Sequence, residues 1–505
     1  MLTESEGGKQ ARLRAISSWL VARRPLIVAS NRGPLEHHLT PDGRLEPRRG
    51  AGGVVTALSS LTRTVEFTWV AGAMGEGDRR VSQETPGGLI RSPLPGHRIS
   101  VRYVVTSRRV YHKYYNIFCN PLLWFLQHYM WNSPYNPNID ASVLDAWNDG
   151  YVQVNRAFAD VVLEEAKRHS SPPVVMLHDY HLYLVPKYVR DAAPEALVSL
   201  FVHIPWPTPR YWQLLPAAIR RAICESLAAA DVVGFQTLQD SRNFLDTCEE
   251  FLPDAQIDQV AREVSLGGRR TRVKAYPISI DVEEVRRIAS STRALEYGGR
   301  LKPVCGPKTI VRVDRAEPSK NVVRGFKAFG MLLARHPELH GQVNFLAFLV
   351  PSRTHVRQYQ RYMEEIDLVV REINTSYGKP CWQPVTIFYE NNYTQAIAGL
   401  KLYDVLLVNP VIDGMNLVSK EGPVVNARDG VLVLSETTGS YRQLAEGALG
   451  VAPADLEGTM QALYQALTMD DAERHRRAEL LVRRIEREDI TYWLCEQLQD
   501  LAAAL

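Results

Sequence analysis

The sequence predicts an α/β protein with two parallel β-sheets, each covered by helices. Short, continuous apolar runs bounded by turn residues alternate with longer segments whose apolar residues recur near i, i+3 and i+4. Such runs are typical of strands buried on both faces, and the segments between them are typical of covering helices. A single doubly wound sheet rarely needs 505 residues, so we expect two such domains.

The expected elements follow these patterns in chain order. The strands are residues 26–29, 174–177, 200–202 and 232–233 in the first half, and 309–311, 345–350, 385–388, 405–408 and 431–434 in the second. The helical patterns are residues 12–21, 319–335, 359–373 and the last segments from 459 to 505. The stretch 283–307 is charged, contains several glycines and prolines, and precedes a fresh strand, so we predict that it joins the two domains.

Composition and charge exclude several classes of protein. With 45% hydrophobic and 23% charged residues, the chain does not match a disordered tail, a collagen-like repeat or a coiled-coil rod. The net charge of +3 is small for this length, so we expect no nucleic-acid partner. No apolar stretch approaches the ~20 residues of a membrane span, and the first residues lack the apolar run of a signal peptide.

The cysteines indicate the compartment. Six of them stand far apart without a C-x-x-C pair, which argues against a zinc ribbon or a thioredoxin-type redox motif. Sparse, scattered cysteines in a large chain suit a reducing environment. We therefore expect a cytoplasmic protein with no membrane partner.

Charged or imidazole groups beside glycine or proline follow six of the predicted strands. In open α/β sheets, ligands bind beyond the carboxyl ends of the strands, so we expect these groups to line a cleft between the two domains. The segments are residues 30–33, 178–181, 203–207, 314–315, 351–353 and 409–416.

Four cations occupy these strand ends or lie close to them: Arg32, Arg315, Lys320 and Arg353. Arginine offers a planar fork for bidentate contact with phosphate, and lysine acts as a compact point charge. The set therefore fits a site that handles more than one phosphate, the alternative being that each cation pairs with a nearby carboxylate.

Two glycine-containing loops are candidate anion sites. The loop 50–53, which ends at Gly53, leads into a helical pattern, where backbone and helix terminus favour a phosphate; a plain turn is the alternative. The segment 413–421 combines a tight turn with a good helix, so amides near Asn416 and Leu417 would face an anion. Its carboxylates, Asp413 and Glu421, would stand ~12 Å apart if the whole segment were helical. The alternative is that the segment is an ordinary capped surface helix.

Polar and aromatic residues of the first half complete the candidate site. Asp179 and His203 both end predicted strands, and two prolines stiffen the loop after His203, so this histidine either contacts a substrate hydroxyl or is structural. Tyr115 and Trp124 either form an aromatic wall against a sugar ring or belong to the core.

The motifs, taken in order, resemble the trehalose-6-phosphate synthase family over nearly the whole chain. The resemblance implies two Rossmann-like domains facing a cleft (the GT-B fold), namely residues 1–285 and 286–485, and a last helix, 486–505, that crosses back to the first domain. It also implies transfer of glucose from a nucleoside-diphosphate glucose to glucose 6-phosphate with retention, without metal or cofactor. The motifs are Ser-Asn-Arg, Gly-Gly, Tyr-Tyr-Asn, His-Asp-Tyr-His, His-Ile-Pro-Trp-Pro, Gly-Phe-Gln-Thr, Tyr-Pro-Ile, Arg315 with Lys320, and Asp-Gly-Met-Asn-Leu-Val.

The same resemblance assigns the site residues. The donor-binding set would be Gly53, Arg315, Lys320, Asp413, Gly414, Met415, Asn416, Leu417, Val418 and Glu421. The acceptor-binding set would be Arg32, Tyr115, Trp124, Asp179 and Arg353. The catalytic set would be Arg315, Lys320, His203 and Asp179. No carboxylate in these sets is an obvious covalent nucleophile, so the attack is expected on the face that the diphosphate leaves, with a phosphate oxygen taking the proton.

The chain also departs from the family pattern. Where many members have Trp-x-Gly-Trp, this sequence has Trp-Val-Ala-Gly at 69–72, and residues 316–319 and Asn321 differ from the usual donor segment. The Pro-x-Lys-Asn element resembles the related pseudo-glycosyltransferases. These departures leave open UDP or GDP as the nucleotide, a cyclitol phosphate or glycerol 3-phosphate as another acceptor, and a non-catalytic sugar-phosphate-binding regulator. A homo-oligomer is equally compatible with the sequence.

Overall fold

A computed structural model describes residues 6–50, 53–352 and 357–505. Contacts between residues divide the chain into two compact units. The first contains the residues up to Ile278 together with Thr491–Leu505, and the second is Ser279–Ile490.

The first unit is built on a ten-stranded sheet. Its strands are β1 (Leu26–Ser30), β4 (Phe67–Gly72), β5 (Ile90–Arg91), β6 (Ile99–Val104), β7 (Val174–His178), β8 (Leu197–Phe201), β9 (Val232–Phe235), β10 (Gln256–Asp258), β11 (Glu263–Leu266) and β12 (Arg269–Ala275), while β2 (Leu35–Leu39) and β3 (Leu45–Arg49) form a separate hairpin. The order is β10-β11-β12-β9-β8-β7-β1-β4-β6-β5, with antiparallel pairs only at the two edges. The parallel centre of the sheet therefore contains β1, β7 and β8 as direct neighbours.

Helices cover this sheet and connect its strands. They are α1 (Glu6–Val21), α2 (Gly53–Ala57), α3 (Ser59–Thr64), α4 (Glu76–Glu84), α5 (Arg108–Tyr111), α6 (Trp124–Gln127), α7 (Ala141–Ala146), α8 (Gln153–Ala166), α9 (Val185–Ala192), α10 (Pro209–Trp212), α11 (Ala217–Leu227) and α12 (Leu238–Phe251). Two further segments, His112–Leu123 and Trp147–Val152, are π-helical. Such wide turns are rare and are frequent at functional sites.

The second unit is built on a six-stranded, all-parallel sheet. Its strands are β13 (Lys308–Arg315), β14 (Val343–Val350), β15 (Val385–Tyr389), β16 (Val405–Val408), β17 (Val431–Ser435) and β18 (Leu449–Val451). The order is β15-β14-β13-β16-β17-β18. Alternate residues of β16 enter two different cores, because Val405 and Leu407 pack on one side while Leu406 and Val408 pack on the other. Burial on both faces explains why the strand is continuously apolar.

The helices of the second unit are α13 (Val282–Ala289), α14 (Thr292–Leu301), α15 (Val322–Arg335), α16 (Arg357–Tyr377), α17 (Tyr393–Leu400), α18 (Val418–Val425), α19 (Tyr441–Leu444), α20 (Leu456–Thr468) and α21 (Asp471–Arg487). The stretch predicted as a joining segment, 283–307, therefore consists largely of α13 and α14. Val282, Val285 and Ala289 pack into a core of this unit. Their helical spacing buries one face, although charges dominate the stretch.

The last helix, α22 (Ile490–Ala502), packs within the first unit. Tyr276 Oη donates a 2.6 Å hydrogen bond to Asp500 Oδ2, and an Arg272 guanidinium nitrogen donates at 3.0 Å to the Asp500 carbonyl oxygen. Near its beginning, α22 contacts α1, where Gln10 donates to Thr491 at 3.1 Å. Among the described helices, none combines the length and apolar character needed to cross a bilayer.

Candidate active site

The central strands of the first unit end side by side. Ser30 of β1 is in register with His178 of β7, which is in register with Phe201 of β8. The loops that follow these ends carry Arg32, Asp179 and His203. Parallel pairing thus explains why residues far apart in sequence meet at one edge of the sheet.

Asp179 adopts a strained backbone conformation at this edge. Its φ of 78° and ψ of 165° lie in a region that is almost restricted to glycine and costs about 1–3 kcal/mol. The carboxylate accepts a 3.3 Å hydrogen bond from the backbone amide of His203 and lies 3.6 Å from His181 Nδ1. Burial opposes its ionisation, but the hydrogen bond from His181 and the electrostatic interaction with the imidazole of His203 outweigh burial and lower the pKa of Asp179. A carboxylate is therefore held ionised in a fixed orientation.

His203 forms a pair of imidazoles with His178, in which His178 is buried and His203 is half-buried. Its Nε2 lies 3.2 Å from His178 Nδ1, a hydrogen-bond distance at which one ring donates and the other accepts. Burial lowers the pKa of His203 despite the opposing charge of Asp179, and burial lowers the pKa of His178 to about 3. Trp493 of α22 packs against both rings, with centroids 6.4 and 6.5 Å away. His203 is therefore neutral near pH 7 and can exchange hydrogen bonds with hydroxyl groups.

Aromatic rings line the neighbouring part of the site. Tyr115, in the π-helical segment His112–Leu123, stacks between Tyr111 at 5.5 Å and His181 at 5.8 Å. Trp124 follows this segment and stacks on His128 at 4.0 Å. Because His181 contacts both Tyr115 and Asp179, the structure brings these two predicted residues together through a histidine that the sequence-based assignment did not include. The only signal for His181 was its place in the strand-end segment 178–181.

The remaining predicted residues of this unit are more exposed. Arg32 is exposed, and it forms no ion pair with any other described residue. Gly53 begins α2, and a side-chain carbon added there would meet open space. Arg353, which was predicted from the second half of the chain, lies outside the described residues.

In the second unit, β13 ends at a cation that is paired with a carboxylate. Arg315 is the last residue of β13 and is in register with Val350 at the end of β14. One of its guanidinium nitrogens lies 2.8 Å from Glu317 Oε1, and the same oxygen accepts a 2.8 Å hydrogen bond from Ser352 Oγ. Glu317 is fully buried, whereas the Arg315 side chain is 43% exposed. The carboxylate thus anchors a guanidinium that still reaches solvent.

A second cation is held by the segment after β16. Lys320 Nζ hydrogen-bonds to Asp413 Oδ2, which also accepts a 3.1 Å hydrogen bond from Asn416 Nδ2. The Lys320 and Asp413 side chains are only 13% and 14% exposed. The structure therefore joins three predicted donor-binding residues on one carboxylate oxygen.

Backbone geometry fixes the same segment. Asn416 has a φ of 69°, and its Oδ1 accepts a 3.1 Å hydrogen bond from the Ser419 amide at the start of α18. On the other side, the Gly439 amide donates at 3.0 Å to the Asp413 carbonyl, and a side-chain carbon at Gly439 would lie 1.7 Å from the Gly414 carbonyl oxygen. Only glycine fits there. Residues 413–416 are not helical and α18 begins only at Val418, so the helical spacing assumed between Asp413 and Glu421 does not apply.

Two buried ionisable residues follow in α18. Glu421 is 9% exposed and accepts a 2.8 Å hydrogen bond from Tyr393 Oη. Burial raises the pKa of Glu421 to about 7, partly opposed by that hydrogen bond. Burial likewise lowers the pKa of Lys420 to about 7, against the charge of Glu488. Within the described ranges, no cluster of three or more His, Cys, Asp or Glu residues is arranged to hold a metal ion.

Comparisons with known proteins identify the family. The sequence model described as Glycosyltransferase family 20 matches residues 24–503. A validamine 7-phosphate valienyltransferase from Streptomyces hygroscopicus is 31% identical over 484 residues, covering 95% of this chain and 94% of that protein. A trehalose-6-phosphate synthase from Mycolicibacterium paratuberculosis is 33% identical over 494 residues, covering 94% and 95%.

Solved structures give the same result for the fold. The alpha,alpha-trehalose-phosphate synthase (UDP-forming) from Burkholderia xenovorans, in complex with glucose 6-phosphate, superposes with a TM-score of 0.80 at 26% identity, covering 95% of this chain and 100% of that one. The GT-B fold class and the resemblance to trehalose-6-phosphate synthases are confirmed. The chain therefore belongs to glycosyltransferase family 20 and is a glycosyltransferase.

Proposed function

We propose that this enzyme transfers glucose from UDP- or GDP-glucose to glucose 6-phosphate, with retention at the anomeric carbon, giving α,α-trehalose 6-phosphate. The second unit would hold the donor, and the first unit would hold the acceptor. The observation that carries the proposal is the junction of Lys320 and Asn416 on the Asp413 carboxylate, because it fixes a cation beside the start of a helix.

The donor side follows from this junction. Lys320 and Arg315 would face the diphosphate, and the positive end of the α18 dipole, next to Asn416, would add to their field. Glu421, hydrogen-bonded to Tyr393, would bind ribose hydroxyls as an acceptor. The remaining proposed donor contacts are Gly53, Gly414, Met415, Leu417 and Val418.

The acceptor side rests on charge and aromatic surface in the first unit. The exposed guanidinium of Arg32 would bind the sugar phosphate. Arg353 is also proposed as an acceptor-binding residue. Asp179 would accept hydrogen bonds from sugar hydroxyls, since its carboxylate is ionised and held in place. Tyr115 and Trp124 would pack against the sugar ring.

The reaction needs charge stabilisation at the leaving group. The bond between the anomeric carbon and the phosphate oxygen breaks, a bond to the acceptor hydroxyl oxygen forms on the same face, and the hydroxyl proton passes to the leaving phosphate. Fixed cations stabilise the departing diphosphate without reorganising during the reaction. His203 is neutral, so it would contribute a hydrogen bond near the donor sugar rather than a positive charge.

A second candidate reaction uses a cyclitol phosphate as acceptor. Two observations favour it: the 31% identity with a validamine 7-phosphate valienyltransferase, and the segment 69–72, where Gly72 stands at the position of the tryptophan common in the family. A side-chain carbon at Gly72 would lie 2.9 Å from the Asn31 carbonyl oxygen, so a tryptophan would require the loop before Arg32 to move. This departure from the family pattern supports an acceptor other than glucose 6-phosphate as the second candidate.

Activity with matched substrates tests the proposal. The enzyme is mixed with UDP- or GDP-glucose and, in parallel, with glucose 6-phosphate, validamine 7-phosphate or glycerol 3-phosphate, and release of nucleoside diphosphate is measured. Release that depends on glucose 6-phosphate is expected. Release only with validamine 7-phosphate would favour the second candidate. No release with any pair, together with thermal stabilisation by glucose 6-phosphate, would identify a sugar-phosphate-binding regulator.

A further inference from the structure

An exposed tyrosine of the second unit, Tyr393, is hydrogen-bonded to a proposed donor-binding residue. Tyr393 is the first residue of α17 and is 46% exposed. Its Oη donates a 2.8 Å hydrogen bond to Oε1 of Glu421, which lies in the first turn of α18. The two helices pack together, and Ile397 of α17 and Val424 of α18 enter the same core. The contact therefore joins two side chains whose backbones are fixed by packing.

The start of α17 is also held by the residue before Tyr393. Asn392 Oδ1 accepts a 3.1 Å hydrogen bond from the Gln395 amide and so caps the helix. Asn392 Nδ2 donates at 2.7 Å to Tyr297 Oη on α14. Because the backbone is already held in place, little conformational entropy is lost when Tyr393 contacts Glu421.

The ionisation of the two groups determines the direction of this hydrogen bond. Partial burial and the charge of Glu421 raise the pKa of Tyr393, and Glu284 and Asp281, at the start of α13, add negative charge nearby. Tyr393 therefore stays protonated and is the donor, while Glu421 is the acceptor. Oε1 of Glu421 is thus occupied, and among the described residues none donates to its other oxygen, Oε2.

Glu421 depends on this donor to act as a carboxylate at neutral pH. Burial raises the pKa of Glu421 to about 7, and the hydrogen bond from Tyr393 opposes that rise. Without the Tyr393 hydroxyl, a larger fraction of Glu421 would be protonated at pH 7. Hydrogen bonds to a neutral carboxyl group are weaker than those to a carboxylate. The Tyr393 contact therefore affects both the charge of Glu421 and the direction in which Oε2 is presented.

We propose that Tyr393 is a positioning residue for the donor, whose hydroxyl holds Glu421 in the orientation in which Oε2 accepts hydrogen bonds from the ribose. The inference rests on the proposed function, because it assumes that Glu421 binds the ribose of a nucleoside-diphosphate glucose. Tyr393 acts through Glu421 in this assignment. Its loss should therefore raise the donor KM more than it lowers kcat.

Calorimetric titration with UDP-glucose and GDP-glucose, without acceptor, tests the assignment in a double-mutant cycle. Tyr393→Phe should weaken binding of the donor roughly three- to tenfold at pH 7, which is the worth of one hydrogen bond. In the Glu421→Ala background the same change should have less than about a twofold effect, since no carboxylate remains to be held. The matched control is Tyr389→Phe, because Tyr389 is 38% exposed and its hydroxyl donates at 2.7 Å to Asp367, outside the proposed donor set. This control should bind the donor as the unmodified enzyme does.

The pH dependence of donor binding separates this role from simple packing. The affinity of the unmodified enzyme should rise up to about pH 7 as Glu421 ionises, and in Tyr393→Phe the rise should extend to higher pH, because the lost hydrogen bond stabilised the carboxylate. Lys420, which faces Glu488, also has its pKa lowered to about 7 by burial. Glu421→Ala is therefore titrated in parallel, and the pH dependence that it retains is assigned to Lys420 and other groups.

The outcomes distinguish this inference from the proposed function. Equal donor affinity in Tyr393→Phe and the unmodified enzyme, or an equal effect of Tyr393→Phe with and without Glu421, would overturn the inference and leave the proposed function standing. Binding of neither nucleotide sugar by the unmodified enzyme would overturn both. Thermal unfolding shows which variants are folded. If Glu421→Ala does not fold, the pH shift in Tyr393→Phe decides alone, and its absence would overturn the inference.

Discussion

Replacing Lys320 by methionine is expected to lower kcat/KM for glucosyl transfer by about 10²–10³-fold, which corresponds to ~2.7–4 kcal/mol of transition-state stabilisation. The magnitude follows from the position of the amine. The Lys320 side chain is 13% exposed and fixed on Asp413, so its charge acts in a largely water-excluded site. Two unit charges 4 Å apart at an effective dielectric constant of ~20 interact by ~4 kcal/mol, which agrees with that range.

Methionine keeps the length and apolar stem of lysine and removes only the charge. Lys327→Met is the matched control, because Lys327 lies on the following helix, α15, and its side chain is 47% exposed. Its ion pair is long, with 3.9 Å between Lys327 Nζ and Glu365 Oε1. Initial rates with saturating glucose 6-phosphate and varied donor give kcat and KM, and thermal unfolding shows that both variants are folded. A Lys320→Met enzyme that is folded and works within about threefold of the unmodified enzyme would refute a role for Lys320 at the diphosphate.

Three further variants test other parts of the account. Arg32→Ala should raise the KM for glucose 6-phosphate by about 10–100-fold through a lost charge-assisted contact and leave the donor KM unchanged, and an unchanged acceptor KM would contradict the assignment. Asp179→Gly should be more stable to denaturant than Asp179→Ala, because only glycine relieves the backbone strain at this position. Glycine is ordinarily the less stable of the two by ~0.5–1 kcal/mol, so the reverse order would argue against that strain. Glu421→Gln should flatten the fall in stability between about pH 4.5 and pH 7, since the raised folded-state pKa of Glu421 costs stability as pH rises through that window; an unchanged pH profile of denaturant unfolding would contradict the pKa.

Several central strands could be predicted from sequence because each is buried on both faces, although β4, which is equally buried, was not among them. Continuous apolar runs identified β1, β7 and β16 with bounds close to those observed. Strand β6 was not predicted, because Arg102 interrupts its apolar run. The charge of Arg102 is balanced by Glu164 at 2.8 Å, a residue distant in sequence. Tertiary pairing of this kind leaves no trace in local periodicity.

The candidate site was only partly accessible to the same reasoning. Strand ends pointed to Asp179, His203 and Arg315, since parallel topology alone brings loops together at one edge. The contacts of Lys320 and Asn416 with Asp413 depend on the left-handed backbone conformation of Asn416. This conformation is not helical, so the helical spacing assumed from sequence does not hold. Perturbed pKa values depend on burial, which a single sequence does not specify. The roles of these residues in catalysis stay predictions.

The most direct measurement is the structure of the product. The enzyme is incubated with UDP- or GDP-glucose and glucose 6-phosphate, and proton NMR of the reaction establishes the linkage while nucleoside diphosphate is quantified. We expect a disaccharide phosphate with an α,α-1,1 linkage, formed in equal amount to the nucleoside diphosphate released. A β-configured product, or no glucosyl transfer to glucose 6-phosphate from either donor, would contradict it.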